Sequence, residues 1–172
     1  MLRVLFVSLV CIGCMVPVGT FPRTTPAPPP PPSLSDAEIT RGLLAEANRA
    51  RQGQGLRALA ADTALNNIAM AYAAELARRR TLSHESSTPG LETLTRRIEA
   101  HAIRWQRSGE NLASMSGLST IVAPKSIELW LNSSGHRANL LNAQFTHGGS
   151  GVARDQYGVW YVVQVYVLTA VR

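Results

Sequence analysis

Ten residues near the C-terminus, Val159-Trp160-Tyr161-Val162-Val163-Gln164-Val165-Tyr166-Val167-Leu168, restrict the fold more than any other part of the chain. Strand side chains alternate between faces, so Val159, Tyr161, Val163, Val165 and Val167 point one way and Trp160, Val162, Gln164, Tyr166 and Leu168 the other. Both faces are apolar and neither carries a charge, so this is an interior strand covered on both sides. Residues 148–154 supply its hairpin partner across the turn-forming stretch 155–158, and a third strand is expected near 103–106. The sheet is therefore antiparallel with helices on each face, an α+β fold in the form of a three-layer α-β-α sandwich.

The helices that cover the sheet are legible from caps and periodicity. Ser35 followed by Glu38 forms a capping box, and Ile39, Leu43, Ala47 and Ala50 recur on one face, which predicts a helix over 35–51 that ends near Gly53. Asp62 caps a second helix with an apolar stripe of Leu65, Ala69, Tyr72 and Leu76, and Arg78 to Arg80 oppose the negative end of its dipole, so it stops just before His84. After the turn-like Ser86-Ser87-Thr88-Pro89-Gly90, Leu94 and Ile98 share a face of a third helix over 91–102. Pro124 suits the first turn of a fourth, with Ile127, Trp130 and Leu131 inward. Ser134-Gly135 breaks it before a short turn over 137–141, which leaves His136 at a helix junction.

Of 172 residues, roughly 140 remain for one hydrophobic core once the chain's beginning is set aside, and a hydrophobic share of 45% is ordinary for a globular domain. The formal charge of +6 rests on scattered arginines, with Lys125 the only lysine. No basic stripe interleaved with aromatics and no known reader motif accompanies them, which argues against nucleic acid as a partner and for a solvated basic surface.

Arg3 precedes the short apolar run Val4 to Val16, the layout of an export signal over 1–20, too short for a bilayer span of about 20 residues. The protein is expected to be exported to the periplasm, the cell envelope or the medium. Cys11-Ile12-Gly13-Cys14 resembles a bacterial lipobox, in which Cys14 would carry a lipid and tether the protein to the membrane; the alternative is cleavage after Thr20. Both cysteines lie in this segment, so the domain has no thiol for a disulfide, a metal site or a nucleophile. Residues 21–34 are a proline-rich linker, extended because proline lacks the amide donor and fixes its own torsion, and 35–172 form the domain.

Chemistry-bearing residues concentrate in three places: Leu82-Ser83-His84, Gly109-Glu110-Asn111-Leu112 and Trp130-Leu131-Asn132-Ser133-Ser134-Gly135-His136-Arg137-Ala138-Asn139-Leu140-Leu141. Helix breakers beside them put the ionisable groups on loops or helix ends. Two neutral imidazoles can bind zinc at about 2.0 to 2.1 Å, with Glu110 accepting from a bound water; two protein ligands are fewer than the three usual in catalytic sites. Equally, Glu110 in a tight turn could serve structure by accepting backbone amides, and His136 could link two segments. Asn111 and Asn139 are read as structural, His101 and His147 as surface or loop residues, and Glu85 as solvated. Ser133 and Ser134 lack an evident base and oxyanion arrangement for a nucleophile's role.

Together with Asn48-Arg49-Ala50-Arg51 and Gly149-Ser150-Gly151-Val152-Ala153, these segments resemble a bacterial CAP domain of the SCP-like extracellular type, the superfamily of cysteine-rich secretory proteins, antigen five and pathogenesis-related proteins. The resemblance spans 35–168 in the expected order. It implies the same α-β-α sandwich and a central cleft holding two histidines and two glutamates, often with a divalent metal on the histidines. By position His84, Glu110 and His136 match three of the four, while the second glutamate falls on Ser133. The resemblance thus makes His84, Glu110 and His136 candidate catalytic residues, His84 and His136 candidate metal ligands, and Zn2+ the candidate cofactor. The expected function is a ligand-binding or interaction module at the cell envelope, taking a small-molecule, lipid or peptide ligand. The alternative is a metal-assisted hydrolase acting on peptide or cell-wall material.

Overall fold

A computed structural model of the chain describes residues 33–169. The export segment, Cys14, the linker as far as Pro32 and the last three residues lie outside the described residues. The elements run α1 (Asp36–Gln52), β1 (Ala60–Ala61), α2 (Thr63–Arg79), α3 (Leu94–Glu99), β2 (Trp105–Ser116), α4 (Ser119–Leu131), α5 (Ser134–Leu140), β3 (His147–Arg154) and β4 (Val159–Thr169). Ser35 and Glu38 close their capping box, and Asp62 caps α2 through the Leu65 amide.

The sheet has the order β1-β3-β4-β2. β4 lies inside it, antiparallel to both β2 and β3, and the two-residue β1 adds a parallel edge on β3. The two faces of β4 separate as its alternation requires. Trp160, Val162 and Tyr166 bury against Ile39, Leu43 and Ala47 of α1, Val122, Ile127 and Trp130 of α4, and Leu140 of α5. Tyr161, Val163, Val165 and Val167 bury against Leu65, Ile68, Tyr72 and Leu76 of α2 and Ile98 of α3. Gly149 and Gly151 let α2 lie directly on β3: a Cβ there would fall 2.3 Å from the Leu65 carbonyl carbon and 2.2 Å from the Met70 nitrogen.

Several expectations are corrected. The third strand does not stop at 106 but continues through Gly109-Glu110-Asn111-Leu112 to Ser116, paired with β4 along its length. Glu110 is thus a strand residue and not a turn residue. Its segment is too polar to read as a buried strand because the polar side chains serve the site described below. α3 is shorter than predicted, since the Thr93 hydroxyl accepts from the Arg96 amide and starts the helix there. α4 begins at Ser119, which places Pro124 inside it. Pro124 and Thr120 are both exposed, so the carbonyl that loses its partner can reach water. The chain breaks at Asn132-Ser133, and Gly135 is helical.

The basic residues are not all solvated. Arg51 is 0% exposed, its guanidinium donating to the carbonyls of Arg57, Leu140, Asn142 and Phe145, which fastens the end of α1 to the chain beyond α5. Arg97 is 5% exposed. No helix among the described residues is long and apolar enough to cross a membrane.

Candidate functional site

His84 sits on the loop after α2, and that loop is pinned to the helix on both sides of it. Arg80 ends α2 in the left-handed conformation and turns the chain back. The Tyr72 hydroxyl then donates to the Ser83 carbonyl at 2.5 Å. Beyond His84, the buried Glu75 carboxylate gathers the Ser86, Ser87 and Thr88 hydroxyls, the Ser87 amide and Arg79. Burial alone would raise the Glu75 pKa, but these donors outweigh it and hold the group at about 2.

Glu110 projects from β2 on the side of α2 and α3. It is 6% exposed, and each oxygen has a partner: Oε1 lies 2.9 Å from His84 Nδ1 and Oε2 accepts from Arg97 Nη2 at 2.7 Å. The Arg97 guanidinium rests over the Tyr72 ring, 3.7 Å from its centroid. A buried carboxylate between an arginine and an imidazole is a paired charge, and an ionised one can only accept, which puts the His84 proton on Nδ1 and leaves Nε2 as the free nitrogen. The bond to Glu110 raises the His84 pKa against the opposing effects of burial and Arg97. Tyr72 is pushed up to about 12, chiefly by burial.

His136 enters from the first turn of α5. Its Nδ1 lies 2.9 Å from the hydroxyl of Ser133, the residue that caps α5. Here too Nε2 is the nitrogen left over. Burial, and then the charge of His84, lower its pKa. The docking of α5 on β2 sets its position: Asn111 Nδ2 donates to the His136 carbonyl at 2.9 Å and to the Tyr166 hydroxyl, while Asn139 Nδ2 donates to the Glu110 carbonyl and to Asn111 Oδ1. Gly109 permits this approach, since a Cβ there would lie 2.9 Å from Asn139 Oδ1 and 3.0 Å from the Phe145 ring. Trp130 Nε1 adds a bond to the Leu112 carbonyl.

His84, Glu110 and His136 therefore line one cleft of about 570 Å³, together with Ser133, Gly135, Asn139 and a wall of Thr93, Leu94 and Thr95. Glu85 is exposed and also lines it. His101 and His147 lie elsewhere, against the Arg97 carbonyl and the Thr146 hydroxyl respectively. Arg97, Tyr72 and Glu75 were not identified from sequence. Their signal was a charged residue on an otherwise apolar helix face: Arg97 beside Ile98 and three residues after Leu94, Glu75 three residues after Tyr72. Among the described residues no three His, Asp or Glu side chains are grouped to hold a metal ion.

The cysteine-rich secretory protein family model, abbreviated CAP, matches residues 44–166. The chain belongs to this family. YkwD of Bacillus subtilis strain 168, an uncharacterized protein, is 32% identical over 142 residues, which cover 83% of this chain and 52% of YkwD. The uncharacterized membrane protein YlbC of the same strain is 34% identical over 110 residues, 64% of this chain and 30% of YlbC. The chain thus spans about half the length of one relative and less than a third of the other. Among solved structures, an extracellular protein containing an SCP domain from Bacillus anthracis is 30% identical, with a TM-score of 0.65 over 77% of this chain and 41% of that one. The α-β-α sandwich of the CAP domain is the fold described above.

Proposed function

We propose that this CAP-domain protein is an exported binding module of the cell envelope, whose cleft takes a small-molecule, lipid or peptide ligand against His84 and His136. The observation that carries the reading is the state of Glu110. Both its oxygens are engaged, by Arg97 and by His84, so the carboxylate orients an imidazole and is not free to take a proton from water. Ser133, where a second carboxylate would complete the tetrad, holds His136 instead. Hydrolysis would need a base other than Glu110, drawn from His136 or Glu85 of the same cleft, and the engagement of Glu110 favours binding over the metal-assisted hydrolase. Export rests on the signal-like residues 1–20, and the choice between a lipid tether at Cys14 and free release after Thr20 follows from which peptide bond is cut.

The donor set suits an exchangeable metal. His84 and His136 would hold Zn2+ through Nε2, each ring steadied at Nδ1 as liganding histidines usually are. When bound, zinc would supply Lewis acidity toward an oxygen of the ligand. Two protein donors leave the remaining positions to water or ligand, so affinity is modest. Zinc titration of the full chain by calorimetry should show binding near micromolar, about 8 kcal/mol. His84→Ala and His136→Ala should each abolish it with the fold intact by circular dichroism, and Ser133→Ala should weaken it roughly tenfold. Zinc binding that survives both histidine variants would refute the metal assignment, and metal-dependent peptide cleavage by the full chain that both variants lose would replace the binding reading with the hydrolase.

A further inference from the structure

One end of the sheet gathers side chains that the cleft does not use. β2 ends at Ser116, opposite Val159, and β3 ends at Arg154, opposite Trp160, so the Gly117-Leu118 connection into α4 and the β3-β4 turn over 155–158 lie side by side. Contacts link them. Trp160 Nε1 donates to the Gly117 carbonyl at 3.2 Å, and the Arg154 guanidinium lies over the Trp160 ring, 5.2 Å from its centroid, on the face that α1 and α4 cover. Arg154 Nε donates to the Gly158 carbonyl at 3.1 Å, beside Tyr157, and Arg80 at the end of α2 rests 5.2 Å from the centroid of the Tyr157 ring. The two guanidinium groups thus reach this end from opposite faces of the sheet, and what they share is a surface and not a pocket.

Three of the six large apolar side chains that the described residues expose stand on this surface: Leu118 at 54%, Ile121 at 43% and Tyr157 at 68%. Ile121 folds over the Gly117 backbone, where a Cβ would fall 2.8 Å from Ile121 Cδ1. Both helix ends that face it carry a residue poorly suited to capping. Leu118 occupies the N-cap of α4, where serine, threonine or aspartate would bond a free helix amide and leucine bonds none. Arg80 occupies the left-handed cap of α2 at φ 51°, a position that glycine fills without strain. At each place the side chain, apolar in one case and charged in the other, is the reason for the residue, because the backbone favours another.

We propose that this end of the domain docks on an anionic lipid bilayer, with Leu118, Ile121 and Tyr157 in the interface and Arg80 and Arg154 among the headgroups. A tyrosine suits the boundary between hydrocarbon and water, and an arginine buries its stem while its charge stays with the phosphates. Neither arginine is in an ion pair among the described residues. Of the acids nearby, Asp155 Oδ1 is taken by the Tyr157 and Val159 amides and Glu38 Oε2 by Ser35, which leaves Asp36 in water. The chain also joins the domain here: the Leu34 amide donates to Ser119 Oγ at 2.7 Å, next to Leu118. A protein held at the membrane through the preceding segment presents this end to the bilayer, and that attachment makes a weak surface contact sufficient. The inference rests on the envelope location proposed above but on neither histidine, since none of these residues lines the cleft.

The test uses the full chain with labelled Ile, Leu and Met methyl groups, in bicelles of phosphatidylcholine with and without phosphatidylglycerol that carry a spin-labelled lipid. Every variant keeps residues 1–32, so attachment through that segment is common to all, and only the preference among methyl groups reports on docking. With phosphatidylglycerol, the Leu118 and Ile121 signals should broaden at least about fivefold more than those of Met70 and Leu129, which are each 40% exposed elsewhere. Leu118→Ser with Tyr157→Ser should cut the Ile121 effect at least about threefold, whereas Met70→Gln with Leu129→Gln should leave it unchanged. Leu118→Ser also supplies the missing cap, so that variant should fold. Broadening that is equal at all four positions, absent from all, or the same without phosphatidylglycerol would overturn the proposal. A dimer in the absence of lipid that Leu118→Ser with Tyr157→Ser dissolves would also overturn it and assign the face to a second copy of the chain. A cleft that fails to bind zinc leaves the expected pattern intact, so the two readings fail separately.

Discussion

Removing the charge at Glu75 tests whether the loop that carries His84 is held electrostatically. Glu75 sits one α2 turn beyond Tyr72, is 6% exposed and accepts five hydrogen bonds. Its folded pKa lies near 2 against an ordinary 4.5, with the donors from Ser86, Ser87 and Arg79 overcoming the burial that would raise it. At about 1.4 kcal/mol per pH unit, that difference is worth about 3 kcal/mol. Because the folded pKa is depressed, the contribution is fully present above the unfolded value and is lost as pH falls from about 4.5 through 2. Glu75→Gln should therefore destabilise the protein by about 3 kcal/mol at pH 7, and most of the gap to the parent should have closed by pH 2, where the parent's carboxyl is half protonated. Urea unfolding of both proteins between pH 7 and pH 2 gives the difference curve, in which carboxylates common to both cancel. Hydrogen exchange at the Ser87 amide supplies a local reading, since that group donates to Glu75 at 2.6 Å and should exchange faster in the variant. A difference that stays constant across this pH range would show that the hydrogen bonds act without the charge, and would refute the reasoning.

Two further changes probe the scaffold of the cleft. Arg97→Met leaves the Glu110 charge buried without its cation and should cost about 3 to 5 kcal/mol by urea unfolding, most of which the double variant with Glu110→Gln should recover. Recovery of none of it would mean that Arg97 acts by packing on Tyr72 instead. Gly151→Ala drives a Cβ into the α2 backbone and should cost at least about 3 kcal/mol, whereas Gly135→Ala, with nothing within 4 Å and a helical backbone, should be neutral or stabilise by up to about 1 kcal/mol. Thermal unfolding of the two variants side by side decides it, and equal costs would contradict the contact of α2 with β3.

The layers were legible because their signals are local. Alternation in β4 needs no partner to be seen, and the caps of α1 and α2 lie within four residues of the groups they satisfy. β2 was harder to see: Ser108, Gly109, Glu110 and Asn111 are poor strand formers, and only pairing with Val167 to Gln164 makes them a strand. The two-residue β1 is too short to leave a pattern. The site divides along the same line. His84 and His136 stand out by residue type, but Arg97 is 13 residues from Glu110 and on another element, and a buried arginine looks in sequence like a solvated one.

That difference changes how the cleft is understood. Three ionisable groups on three segments look like an acid-base set until the fourth, Arg97, is counted. An arginine at 2.7 Å pairs Glu110 and turns it inward, and the same carboxylate holds Nδ1 of His84. Ser133 takes the matching place at His136 without adding charge. The two imidazoles are therefore steadied unequally, one by an anion that raises its pKa and one by a neutral hydroxyl in a setting that lowers it.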